Sequence, residues 1–134
     1  MKNSPRQATR LLGAALLALA CQPAAADGFG LHLASHHFGG RPAQNVNVGA
    51  FYRWDNGVTL GALRNSEDTW SAYAGWTWSA GPLAVTGGAI SGYRDGLRPL
   101  LIPSLALGLG FRLAAIAPVG EHRAALHLMW EHGL

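Results

Sequence analysis

The chain has 134 residues, 49% of them hydrophobic and only 13% charged, with a formal charge of +3. That excess lies near the N-terminus: beyond residue 26 there are seven Arg, no Lys and seven acidic residues. Without a cationic surplus, nucleic acid is excluded as a partner, and a single cysteine, Cys21, excludes a disulfide framework.

Lys2, Arg6 and Arg10 give a basic start, residues 11–20 are an apolar run, and Ala24-Ala25-Ala26 reads as a small-residue cleavage site. This pattern predicts a signal peptide over residues 1–26, cut before Asp27, because a run of ten apolar residues is too short to span a bilayer. Cys21 leaves room for a lipoprotein, although Ala18 stands where a leucine is usual. Residues 27–134 then form one domain.

No segment of that domain keeps a helical period for three turns. Turn signals recur every 10 to 15 residues instead, the strongest being Asp55-Asn56-Gly57, which predicts a two-residue hairpin. Seven such turns delimit eight predicted strands at 29–37, 44–54, 58–65, 69–79, 83–93, 99–107, 110–117 and 123–132. The expected fold is all-β: an eight-stranded antiparallel up-and-down barrel. Five Trp and 18 Gly suit closely spaced strands with aromatic ends better than helices.

Alternation separates two faces. Val46, Val48, Ala50, Tyr52 and Trp54 oppose Asn45, Asn47, Gly49 and Arg53. Trp70, Trp76 and Trp78 oppose Ser71, Tyr73 and Thr77, and Leu126, Leu128 and Trp130 oppose His127, Met129 and Glu131. In a soluble periplasmic barrel the apolar face points inward; in an outer-membrane barrel it points to lipid. Phe29, Trp54, Trp76, Trp78 and Trp130 gather near one rim, with Phe38, Trp70 and Tyr93 near the other. Two aromatic belts favour the outer membrane. Strands six and seven are apolar on both faces, which implies a partly greasy interior suited to an acyl chain.

Two polar pairs reach one rim: His36-His37 closes strand one and Asn65-Ser66 closes strand three. Acyl transfer there would use His37 or His36 as base, Ser66 as nucleophile or polarising hydroxyl, and Asn65 as oxyanion donor. An ordinary turn start is the plainer reading of Asn-Ser. Arg41, Arg94 and Arg98 are placed in loops of the same rim, within reach of lipid phosphates. No cofactor or metal is predicted: His32 and His36 share a face with no carboxylate or cysteine to complete a set, and His122, His127 and His132 alternate faces.

Several motifs occur in a familiar order. Tyr52-Arg53-Trp54-Asp55-Asn56-Gly57, Asn65-Ser66, Ala74-Gly75-Trp76, the Pro99 and Pro103 pair, the Gly108 and Gly110 turn, and Ala117-Pro118 resemble the outer-membrane lipid A palmitoyltransferase (PagP) family from about His36 onward. The resemblance implies transfer of an acyl chain from a phospholipid donor to a lipopolysaccharide acceptor, by a monomer inserted by the barrel assembly machinery. It places catalysis at His37, Asn65 and Ser66, with His36 as the alternative histidine favoured by strict alternation. It also implies lateral lipid access where Pro103 and Pro118 interrupt pairing. Two departures are that Asn65 stands in place of the family's Asp, and that no membrane-surface helix precedes the first strand.

Overall fold

A computed structural model describes residues 22–23, 27–39, 43–118 and 123–133. Most of the expected signal segment, together with Arg41 and His122, lies outside the described residues. Eight strands form the body: β1 (Gly28–His37), β2 (Val46–Arg53), β3 (Val58–Arg64), β4 (Trp70–Ala80), β5 (Leu83–Tyr93), β6 (Gly96–Gly108), β7 (Phe111–Ile116) and β8 (Ala125–Gly133). Each pairs antiparallel with its chain neighbour, and β8 returns to pair with β1, closing the sheet. The expected up-and-down barrel is what the chain forms. Gln22–Pro23 adds a short bridge to Ser79 and Trp78 on β4, just past the point where β3 stops pairing at Val58.

Closure leaves no strand wholly at a sheet edge, and the termini share a lower rim with the β2–β3, β4–β5 and β6–β7 turns. The upper rim carries the β1–β2, β3–β4, β5–β6 and β7–β8 connections. The hairpin at Asp55-Asn56-Gly57 is longer than its sequence suggests. Strand pairing resumes only at Val58, the Trp54 N–H donates to the Val58 carbonyl at 2.8 Å, and Gly57 alone has a positive φ, 88°. A turn followed by one left-handed glycine replaces the two-residue form.

The barrel is apolar outside and polar inside. Trp70 is 61% exposed and Leu101 67%, whereas Asn65 is 1% exposed and Thr77 fully buried. Phe29, Trp54, Trp76, Trp78 and Phe111 are exposed toward the lower rim, and Phe38 and Trp70 toward the upper. The largest fully buried side chains are Asn65, Thr59, Thr77 and Ser71, the reverse of a water-soluble core.

An eight-stranded lumen is just wide enough to be filled by side chains, and here it is filled in layers. Near the lower rim Glu131 accepts from Arg53 at 3.1 Å and from Arg112 at 3.0 Å, and Arg112 also reaches Ser104. Beside them the Thr59, Thr77 and Thr86 hydroxyls form a chain with steps of 2.9 and 2.8 Å. At the waist Phe51, Met129 and Ala114 pack together, with Tyr73 and Ile102 against them. The Tyr73 ring lies over Gly61, where a Cβ would sit 2.5 Å from ring carbons. Gly61→Ala should push Tyr73 out of the waist and cost about 1–3 kcal/mol of folding free energy, read as a lower denaturation midpoint in detergent.

Candidate functional site

The upper rim is built by a register fault. Pairing of β1 slips between His32 and Ala34 against both β2 and β8. Below the slip His32 faces inward; above it Ser35 and His37 do, opposite His127 and Ala125. A bulge of this kind re-aims every side chain beyond it. The expectation that His36 turns inward is therefore corrected: His36 is exposed and meets only the Phe38 ring, edge-on at 5.0 Å. His37 is the inward histidine.

His37 Nδ1 lies 2.8 Å from Asn45 Oδ1. A carbonyl oxygen only accepts, so His37 carries its proton on Nδ1 and leaves the Nε2 lone pair open to take another. Asn45 thus sets the tautomer a base requires. The adjacent Gln44 N–H donates to the Ser66 carbonyl at 3.2 Å, which ties the β1–β2 loop to the β3–β4 turn. The Arg64 guanidinium, 2.7 Å away, and the Gln44 side chain hold the Asp68 carboxyl below its ordinary range. Their grip on the turn is present above that range and is lost as pH falls through the lowered value.

Asn65 and Ser66 sit on this rim, but in different roles. The Asn65 amide donates to Thr69 Oγ1, Ser71 Oγ and the Gly92 carbonyl, each at 2.9 Å. Its oxygen accepts from the Glu67 and Thr69 N–H groups. The side chain is a buried knot joining β3, β4 and β5. Gly92 makes the last contact possible: at a φ of 86° its backbone lies so close to β4 that a Cβ would meet the Trp70 carbonyl at 2.2 Å. Ser66 is half-buried and hydrogen-bonds the Tyr93 side chain. Among the described residues, the link between His37 and Ser66 runs through Asn45 and Gln44.

The wall beside the rim is open between β6 and β7. Their pairing stops at Ser104 opposite Ala114, although β6 continues up to Gly96 and β7 up to Ile116. The Ala106 N–H donates to Pro82 on the β5 side. By alternation the amides of Ser104 and Ile102 also face β5, and positions 103, 101 and 99 face β7. Pro103 and Pro99 therefore lack their N–H groups on the β7 side, while pairing with β5 continues unbroken through both. Inward residues flanking the break, Leu100, Ile102 and Ile116, are apolar and half-buried. Pro118 follows the end of β7, exposed at the rim, so the break itself is the work of Pro99 and Pro103.

Arg98 is not a loop residue. It lies in β6, paired with Ile90, and folds inward over the Tyr93 ring at 4.6 Å while bonding Asp95. His127, read only against His122 and His132 of its own segment, contacts His32 at 2.8 Å because the two stand on adjacent strands. Ser35 and Tyr73 extend that contact at each end. The alternation of β8 puts His127 inside, but the bulge that brings Ser35 beside it leaves no mark in the sequence.

No family model and no curated protein matches this chain. Asn65→Asp should strip the three donated bonds and set a carboxylate against the Gly92 carbonyl, costing about 1–3 kcal/mol. A lowered denaturation midpoint for that variant checks the structural role.

Proposed function

We propose that this chain spans the outer membrane of a Gram-negative-type cell, with its tryptophan-bearing wall in lipid. In that setting it acts as an acyltransferase similar to the lipid A palmitoyltransferases, moving an acyl chain from phospholipid to lipid A. The membrane reading is supported by the inverted wall: exposed Leu, Val and Trp outside and buried Thr, Ser, Asn and His inside.

The acyl reading is carried by the one-sided break above Ser104 and Ala114. Backbone left unpaired in hydrocarbon is costly unless something is served by it, and this break leads to the apolar upper lumen around Leu100, Ile102 and Ile116. One acyl chain entering there would carry its ester toward the rim. His37 Nε2 would take the proton of the acceptor hydroxyl as that oxygen attacks the ester carbonyl, and would return it to the departing lysophospholipid oxygen. Ser66 would polarise the carbonyl by donating its O–H to the carbonyl oxygen. Asn65 would fix the turn that holds Ser66, its own amide being fully engaged.

Expression in a host with abundant phospholipid should add the mass of one fatty acyl group to lipid A, and Ser66→Ala or His37→Ala should abolish the addition. Unchanged lipid A with the native protein overturns the enzymatic reading. The engagement of Asn65 favours a second reading, a barrel that binds an acyl chain without transferring it. That protein would co-purify with phospholipid and leave lipid A unaltered. Both readings require detergent to extract the protein; release by osmotic shock overturns both.

A further inference from the structure

Inside the barrel, below the rim, four side chains form a continuous hydrogen-bonded row. Ser35 Oγ lies 2.8 Å from His127 Nδ1, His127 Nε2 lies 2.8 Å from His32 Nδ1, and His32 Nε2 lies 3.1 Å from Tyr73 Oη. The rim chemistry does not use this row, although Tyr73 and His32 also pack against the waist. His32 and His127 are 6% and 5% exposed, while Ser35 is only half-buried and stands one inward step below His37.

We propose that Ser35 and His127 are a nucleophile and its general base, oriented by His32 and Tyr73, acting on esters of long-chain fatty acids. The proposal goes beyond the rim reading and stands whether or not lipid A is acylated.

Its basis is connectivity. A serine is activated when an adjacent base can take its proton and a third group fixes that base. In the polarity this proposal requires, Ser35 O–H donates to His127 Nδ1, and His127 is protonated on Nε2 and donates to His32 Nδ1. His32 then carries its proton on Nε2 and donates to the Tyr73 oxygen. Either polarity engages all four ring nitrogens, and this one points the whole row at the serine. Reversing the row would leave His127 donating to Ser35 and no base available.

A second observation is the position of the fault in β1. The register slips between His32 and Ala34, so the one strand contributes both His32 and Ser35 to the same inner face. An unbulged strand would have sent Ser35 outward. Placing two partners of one base on one strand three residues apart requires that slip.

The substrate class follows from the surroundings. Ser35 lies about 7 Å below His37 by strand rise, on the inner face of the barrel that also carries the half-buried Leu63, Leu100 and Ile116. An acyl chain suits these walls, and the carbonyl of its ester reaches the serine. The Ser35 oxygen bonds to that carbonyl carbon, its proton passes to His127 Nδ1, and His127 returns the proton to the departing alcohol. Water then attacks the acyl-serine, gives its proton to His127, and the fatty acid leaves as the serine is reprotonated. With two neutral imidazoles and no carboxylate in the row, turnover is slow.

The test is labelling of the purified full-length barrel in detergent with a long-chain alkyl fluorophosphonate, which bonds to activated serines. The expected result is one adduct per chain, located by peptide mass spectrometry on Ser35. His127→Gln should slow labelling roughly 100-fold, and His32→Gln, which leaves the Ser35–His127 contact in place, roughly 10-fold. Circular dichroism identifies variants that keep the barrel. Failure of the native protein to label at Ser35, or labelling at another serine, overturns the proposal without recourse to any variant. Folded His127→Gln and His32→Gln proteins that label at the native rate overturn it equally. Labelling at Ser35 with unchanged lipid A upholds this site and overturns the rim reading alone.

Discussion

The structure depends on the narrowness of its lumen. Eight strands enclose a narrow space that side chains fill across its lower rim and waist, so inward polar groups find their partners on facing or neighbouring strands. Glu131 does this for Arg53 and Arg112, the three threonines do it for one another, and Asn65 does it for three strands at once. These contacts tie neighbouring strands to one another, and Arg53–Glu131 joins residues 78 apart, so they fix register as well as satisfy charge. They also leave the outer wall to apolar side chains.

The waist divides the interior into two halves of different character. Below Phe51, Tyr73 and Met129 lie ion pairs and hydroxyls; above them lie Leu100, Ile102 and Ile116 together with the histidines. The division gives the break between β6 and β7 its meaning, because it lies beside the upper, apolar half. It also puts both proposed chemistries on the same side of the plug, one at the rim and one a strand step below. A single acyl chain would pass the first to reach the second.

Much of the barrel is legible in the residues. The turns at Asn56-Gly57, Gly81-Pro82 and Asp95-Gly96 mark real strand ends, and the alternation of Trp70, Trp76 and Trp78 with Ser71 and Thr77 assigns the two faces correctly. The proline positions point to the gap because a missing amide is a local property. The site is less legible. Which of His36 and His37 turns inward depends on a slip that strict alternation cannot include. The pairing of His32 with His127 depends on β1 and β8 meeting at closure, a contact between residues 95 apart in sequence. The knot at Asn65 depends on Gly92, three strand ends away along the chain.

The gap between β6 and β7 has one more property. A strand that loses its partner normally offers an alternating row of donors and acceptors that invites another molecule's strand to add on. Along β6 the row above Ser104 that faces away from β5 consists of Pro103, Leu101, Pro99 and Leu97, so carbonyls remain but two of the four donors are gone. Such a border accepts more bonds than it offers. The breach is thereby a poorer template for an added strand than an ordinary strand edge would be.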